Sequence, residues 1–545
     1  MSVDPITTEV MRSALVYASE EMGIAVRNSA YSPNIKERLD HSCALFDARG
    51  RLVAQAEHIP VHLGSLPWGI RQTLAALAAR DRSMAAGEMW VVNDPYTSGT
   101  HLNDVTVVRP IFFDRELVGY AANKAHHTDV GGKVAGSMPS DSVTLFEEGL
   151  ILPPMPLMRD DRPVEETLEL FRSNSRSPHQ RSGDLRAQIA GNVIGERRLL
   201  ELVARYGRAV FEATIDRILD DSERRLRAEI ASVPDGVVEV EDVLEDATGE
   251  PSIVLHVRLE KRDDEIRLDY TGTAAELAAP LNAVYGVTLS GVYYAIRAVT
   301  DPTIPMNEGC FRPITVDVPE GTLLRPRRPA AVSGGNVETS MRNADLVLTA
   351  LAQLVPDRVP AQSGGTMSNV MMGGVASGER WTFYETNGCG MGARPNADGL
   401  DAIHAHMTNT LNTPIEAIER YYPLLVTRYE FADYTAGAGR MRGGAGLVRS
   451  VQIRDGSATV ALLAERQTRA PQGSHGGGAG GVGRHFITRD GVQERVAAKG
   501  TYVLRAGDIV SIQTPGGGGY GSPDERGDGA VARDRRNGVA TAPGA

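Results

Sequence analysis

The stretch His101-Leu102-Asn103-Asp104-Val105-Thr106-Val107-Val108-Arg109-Pro110-Ile111-Phe112-Phe113-Asp114-Arg115-Glu116-Leu117-Val118-Gly119-Tyr120-Ala121-Ala122-Asn123-Lys124-Ala125-His126 decides how this chain is read. Val105 to Phe113 reads as a β-strand, Asp114-Arg115-Glu116 as a polar turn, and Leu117 to Ala125 as the returning strand. Folding at Asp114-Arg115 pairs residues whose numbers sum to about 229, which sets Asp104 opposite Ala125 and His126 beside Asn103. Two imidazoles and a carboxylate then gather at the hairpin's open end. Neutral imidazole and ionised carboxylate are usual ligands of zinc, manganese and ferrous iron, and a set without thiolate excludes none of the three. His101, Asp104 and His126 are therefore expected to hold a divalent metal.

A second hairpin precedes it. Cys43-Ala44-Leu45-Phe46 runs into the turn Asp47-Ala48-Arg49-Gly50 and returns through Leu52-Val53-Ala54-Gln55, so its open end brings Asp40 and His41 near Glu57 and His58.

Composition bounds the partners. The chain has 545 residues, 42% of them hydrophobic, enough for about three globular domains. A formal net charge of −12 argues against a nucleic-acid surface, and Arg325-Pro326-Arg327-Arg328 is too short to reverse that. Small molecules or proteins are the expected partners. The three cysteines, Cys43, Cys310 and Cys389, show no CxxC spacing and imply no disulfide framework. Cys389 lies within Thr386-Asn387-Gly388-Cys389-Gly390-Met391-Gly392, as a small residue among glycines or as a nucleophilic thiol. No basic leader with an apolar core is visible, nor an apolar run of about 20 residues, so a cytoplasmic location without membrane contact is expected.

The expected fold class is α+β, a mixed α/β multi-domain chain. Asp4-Pro5 suits a helix start, with Ile6, Val10, Ala14, Val16 and Tyr17 carrying the helix towards Met22 and Val26. Leu185 to Ile230 has a helical period and reads as a helical pair. Beyond Pro234-Asp235-Gly236 the period switches to two, as in Leu255-Val257-Leu259 and Ile266-Leu268-Tyr270. Pro414 and the acidic residue after it suit another helix start, and strands return at 450–454, 458–464 and 501–512. The expected division is a hairpin-rich N-terminal metal-site region (1–184), a helical segment (185–233), a β-rich region (234–330), a glycine-rich α/β region (331–523) and a disordered tail (524–545). Gly473 to Gly483 and Gly516 to Gly521 lack the Lys-Ser or Lys-Thr and following helix that a phosphate loop needs, so backbone turns or close contacts account for them.

The chain resembles the hydantoinase B/oxoprolinase family, which includes acetone and acetophenone carboxylase subunits, over roughly residues 3 to 523. The motifs that carry the resemblance include Glu37 to Asp47, His58-Ile59-Pro60-Val61-His62-Leu63-Gly64-Ser65, Asn93-Asp94-Pro95-Tyr96, Gly99 to Asp104 and His126 to Gly132. Further ones are Ser333 to Ser340, Glu385-Thr386, Asn409 with Asn412, Glu416, and Thr514 to Gly521. The resemblance implies a division of labour. A hydantoinase A-type partner binds ATP and phosphorylates the substrate's carbonyl oxygen, and the B-type subunit completes the reaction at a divalent metal, in a hetero-oligomer of the α2β2 kind. The matching ligands are His101, Asp104 and His126, with Asp40 as candidate fourth.

An amide resists water because resonance weakens its carbonyl, whereas an imidate phosphate is far more electrophilic; a metal lowers the pKa of its water towards about 7 or clamps the phosphorylated oxygen. Asp129 and His127 are candidates to orient a ligand imidazole or shuttle a proton, or else structural hydrogen-bonding residues. His58 and His62 are candidates to line the pocket, or to cap the extended segment between them. Asn336, Glu338 and Arg342 follow Gly334-Gly335 and are candidates to bind a carboxylate or phosphate. His404 and His406 share a face as a second metal pair or as surface histidines. The expected activity is that of an ATP-dependent cyclic-amide hydrolase subunit acting on a small-molecule substrate. Its rivals are ketone carboxylation, which known subunits of greater length perform, and a noncatalytic scaffold for the ATP-binding partner. A ferrous oxygenase fits less well, because it presents His-x-Asp and this chain has His101-x-x-Asp104.

Overall fold

The computed structural model describes residues 4–56 and 58–541, so Glu57 lies outside the described residues. The hairpin that decides the reading forms as β4 (Asp104–Phe113) and β5 (Glu116–His126). Five more strands join it: β1 (His41–Asp47), β2 (Leu52–Gln55), β3 (Met89–Val92), β6 (Met155–Arg159) and β7 (Arg162–Pro163). Their order across the sheet is β2-β1-β5-β4-β3-β6-β7, with every neighbouring pair antiparallel.

Asp114 and Arg115 take φ of 49° and 67°, the two-residue turn whose twist matches its strands. Next to the turn, Phe113 pairs with Glu116 and Phe112 with Leu117, the expected register. A bulge between Ile111 and Phe112 then leaves Val118 as an extra residue on β5, and from Ile111↔Gly119 outward every pair shifts by one. Asp104 therefore lies opposite His126 and not opposite Ala125. The shift brings carboxylate and imidazole side by side on one face.

The sheet is buried on both faces, which its alternation explains. Cys43, Leu45, Ala121 and Ala125 pack with Met11, Leu15, Met22 and Val26 of helix Pro5–Ser29 and with Leu199 and Val203 of helix Pro178–Tyr206. Ala44, Phe46, Val108 and Ala122 face the opposite way, into a cluster that draws on residues from Ala44 to Leu463. Gly195 lets the two long helices meet, because a Cβ there would stand 2.5 Å from Met22 Sδ.

Helix Pro5–Ser29 begins as expected, its first turn capped by Asp4, which accepts from Thr7 N–H at 2.9 Å. Its buried stripe is Met11, Leu15, Ala18, Met22 and Val26, whereas Ile6, Val10 and Tyr17 are exposed. The helical pair is Pro178–Tyr206 and Arg208–Ala231, broken at Gly207, whose φ is 79°.

Among the described residues three more sheets follow. Gly236–Glu245, Pro251–Arg262 and Glu265–Asp269 form an antiparallel run, and Ile314–Asp317 adds in parallel. Asn369–Ala376, Glu379–Glu385, Ser457–Leu463 and Lys499–Arg505 make the second. Leu424–Phe431, Leu447–Ile453, Ile509–Gln513, Arg484–Arg489 and Val492–Val496 make the third. These last two share a core of Met372, Phe383, Val460, Ile453 and Val510. The glycine-rich stretches lie between backbones: a Cβ on Gly517 would stand 2.1 Å from Met391 O, and one on Gly519 2.0 Å from Ala438 O.

The tail differs from expectation. Asp528–Arg536 is a helix, and Asp534 is buried between Arg526 (2.7 Å) and Arg442 (3.3 Å). Arg526 also reaches Asp398 at 2.8 Å. Apolar content was too low to order this segment, and a network of opposite charges does so instead. Among the described residues no helix is long and apolar enough to cross a membrane.

Candidate metal centre

Three chain segments meet where β1 and β4 start and β5 ends. His101 comes from the turn before β4, in which Asp104 N–H donates to His101 O at 3.2 Å. Asp104 opens β4, His126 closes β5, and the His126 N–H donates to Asp40 O at 3.0 Å, which ties the start of β1 to them. His101 Nε2 stands 3.2 Å from His126 Nδ1 and 3.2 Å from Asp104 Oδ1, and His126 Nδ1 stands 3.4 Å from that same oxygen. Asp40 Oδ2 is 3.9 Å from His126 Nδ1. Ligand atoms at about 2.1 Å from one ion stand about 3.0 to 3.4 Å apart at octahedral to tetrahedral angles. The three atoms fit that spacing.

Electrostatics favour the ligating state. Burial lowers the pKa of His126, with Asp40 and Asp104 opposing it, and burial lowers that of His62 as well, so both rings keep a lone pair. Burial alone would raise Asp104, but the surrounding imidazoles His101, His126 and His62 hold it well below the carboxylate range. With His62 and His126 kept neutral by burial, a divalent cation would supply the full positive charge that this buried carboxylate favours.

The surroundings hold these ligands in place. Asn34 donates to His126 O at 2.8 Å and to Asp40 Oδ2 at 3.4 Å, and Arg38 donates to Asn34 Oδ1. His62 bridges Ser42 Oγ at 2.8 Å and Asp104 Oδ2 at 3.4 Å. Tyr384 stacks flat on His126, its hydroxyl donating to Asn369 Oδ1 at 3.0 Å, and Asn369 in turn donates to Glu338 Oε1 at 2.8 Å. Burial, then the charge of Glu465, pushes the Glu338 carboxyl well above its usual range, and its Oε2 has no hydrogen-bond partner. Lys124, fully buried on the same strand face as His126, donates to Ser98 O at 2.8 Å and Thr100 Oγ1 at 3.0 Å. Burial brings its ammonium down to about 7.

The other expected site residues fall into different environments. His127 follows His126 and so points to the opposite face, where its Nε2 meets Gln188 Oε1 at 2.9 Å on helix Pro178–Tyr206. Asp129 bonds the Arg176 guanidinium at 2.9 Å and the N–H groups of Gly131, Gly136 and Arg176. Among the described residues neither side chain hydrogen-bonds to His101, Asp104 or His126. His41 also points away from Asp40's face, and its ring packs on His58 with centroids 4.8 Å apart. Arg342 is 1% exposed, ringed by Asp242 at 3.5 Å, Glu465 at 3.4 Å and Asp345 at 3.7 Å. Those internal carboxylates occupy the guanidinium expected to grip a ligand anion. The segment after Gly334 is not a loop: Asn336 and Glu338 lie in a π-helical turn, Gly335–Thr339, that leads into the helix Ser340–Leu354 carrying Arg342, and Asn336 is buried there with an unpartnered Oδ1. His404 and His406 do not pair: His404 bonds Asn412 at 3.1 Å and His406 bonds Asp345 at 3.1 Å. Cys389 is buried, which pushes its thiol up to about 12 and away from nucleophilic use.

A buried donor set of two imidazoles and a carboxylate, carried on a mixed α/β scaffold, defines the class as proteins with a candidate metal centre inside a sheet. The chain belongs to the hydantoinase B/oxoprolinase family, whose model matches residues 4–523. It is 46% identical to an uncharacterised protein of Methanocaldococcus jannaschii, over 96% of this chain and 92% of that one. It is 35% identical to 5-oxoprolinase 1 of Arabidopsis thaliana over 95% of this chain, and spans only 42% of that longer protein. Among solved structures, the ATP-dependent caprolactamase from Pseudomonas jessenii is 30% identical and superposes with a TM-score of 0.91, covering 99% of this chain and 95% of its own.

Proposed function

We propose that this protein is the B-type subunit of an ATP-dependent cyclic-amide hydrolase, acting on a carbonyl that an A-type ATP-binding partner has phosphorylated. The convergence of His101, Asp104 and His126 carries the reading. The likeness to a caprolactamase and to a 5-oxoprolinase supports the amide substrate. The 5-oxoprolinase extends well beyond the part this chain matches, which supports placing the phosphorylation step outside the matched part.

His101, Asp104 and His126 would hold the divalent ion, with Asp40 as fourth ligand. When bound, it would supply hydroxide near neutral pH and neutralise charge on the phosphorylated oxygen. Asn34 and Arg38 fix Asp40, and Tyr384 fixes the ring of His126. Glu338, whose carboxyl burial pushes well above its usual range, is linked to the site through Asn369 and Tyr384 as a candidate hydrogen-bond or proton donor, with Asn336 in the same π-helical turn. His62 holds the second oxygen of Asp104. Asp129 and His127 support the segment that follows β5.

Co-expression with the ATP-binding partner tests this reading, with a panel of hydantoin, lactam and 5-oxoproline scored for ADP and ring-opened product with and without bicarbonate. Ring opening independent of bicarbonate is expected. His126→Ala should abolish product while the two chains still assemble. Product formation that needs bicarbonate would turn the reading to ketone carboxylation, and an active His126→Ala complex would leave this chain as a scaffold.

A further inference from the structure

We infer that a cavity of about 470 Å³ beside edge strand β2 binds an uncharged small molecule with an aliphatic body. Resting on the hydrolase reading, it receives the hydrocarbon part of the substrate. The volume lies within the range of small-molecule sites. Its walls are chiefly apolar, among them Ile59, Leu63, Met306, Met391, Leu400 and Ile403.

Polar side chains also line it, Arg297 and the rings of His58, His404 and His406 among them. His58 lines it with an Nδ1 that is buried and has no hydrogen-bond partner. Its backbone oxygen is held by Asn409 at 2.7 Å, and its Nε2 lies 3.8 Å from Glu20. Burial brings His58 down to about 4 and His404 down to about 3, so neither offers a positive charge near neutral pH. Arg297 is the one Lys or Arg among the lining residues, and its guanidinium donates to Ile304 O at 2.6 Å and Pro302 O at 3.1 Å. A carboxylate entering here would lose water and meet a cation already turned to backbone carbonyls, a costly exchange.

The cavity is also linked to the metal centre. His404 borders it and reaches Thr410 Oγ1 at 3.3 Å on its other side. Arg38 bonds Thr410 and Thr386, and its guanidinium lies 5.0 Å from the ring of Tyr384, the residue stacked on His126. Occupancy of the cavity therefore bears on the wall that holds a candidate ligand.

The test measures binding to the whole chain, without ATP, partner or turnover, by ligand-observed NMR titration. The probes are ε-caprolactam, 2-pyrrolidone and 5-oxoproline at neutral pH; the last two share a ring and differ by a carboxylate. Caprolactam should bind at least about tenfold more tightly than 5-oxoproline, with 2-pyrrolidone also ahead of 5-oxoproline. Ala298→Trp and Leu400→Trp, each on an exposed lining residue, should each weaken caprolactam binding about tenfold or more at an unchanged melting temperature. Binding of 5-oxoproline as tight as that of caprolactam would overturn the inference, and so would caprolactam binding that neither tryptophan disturbs. His126→Ala should leave this binding in place, so the cavity and the hydrolase reading fail separately.

Discussion

The ring of Tyr384 lies flat on that of His126, centroids 4.5 Å apart and planes within 6°. A metal-binding histidine usually has its second nitrogen fixed by a hydrogen bond, yet His126 Nε2 is buried with no such partner. The stack takes over that orienting role.

Tyr384→Leu should therefore loosen divalent metal binding by about five- to tenfold, since an aromatic pair contributes about 1 kcal/mol beyond its burial. Tyr384→Phe keeps the ring and should stay within about twofold of the parent. Competition with a chromogenic chelator reads both, and equal losses in the two variants would assign the effect to the hydroxyl and not the stack.

Removing a donor should act more strongly. His101→Ala and Asp104→Asn should each lower metal affinity at least about a hundredfold, measured as metal per chain after dialysis against dilute chelator. Circular dichroism should be unchanged for His101→Ala.

Stability should fall as pH rises from about 4 to 6, for a reason far from the metal. Asp184 accepts the N–H groups of Tyr31 (2.8 Å) and Ser32 (3.0 Å), yet burial raises its carboxyl to about 6 from 3.8. Below this window both folded and unfolded chains hold the proton, so the stabilisation is fully present; within it the unfolded chain releases its proton first, and the folded state loses about 3 kcal/mol in total. Asp184→Asn should flatten that part of the melting profile.

The charged tail should be structural. Asp534→Ala removes a buried partner of Arg442 and Arg526 and should cost about 1 to 3 kcal/mol. Limited proteolysis should then cut after Arg526 well before the parent chain is cut.

Much of this was legible in the order of residues, because hairpins convert sequence symmetry into contact. The turn at Asp114-Arg115 placed His101, Asp104 and His126 together, and a register error of one residue survived only because a bulge is a local backbone choice that alternation does not encode. The same alternation, taken one residue further, separates His127 from His126 and His41 from Asp40. In helix Pro5–Ser29 two apolar stripes compete, and the packing of Met11, Leu15, Met22 and Val26 against the sheet and helix Pro178–Tyr206 selects the inner one. Tyr384, Asn369 and His62 reach the site through tertiary contacts, which no local pattern announces; His62 had been placed near a pocket, not on Asp104. The network around Arg342 was hidden likewise, since Asp242 and Glu465 lie a hundred or more residues away on either side and only Asp345 shares its helix.

The interleaved glycines have a temporal meaning during synthesis. Gly516 to Gly519 pass between Thr435, Met391, Gln472 and Ala438 at spacings that admit no side chain, so the second half of the molecule cannot close until they have left the ribosome. A nascent chain halted before that point keeps a slot open through its middle, and such long-range closure is slow and exposed. Prematurely terminated copies should consequently be captured by chaperones or proteases, however well their first two hundred residues have folded.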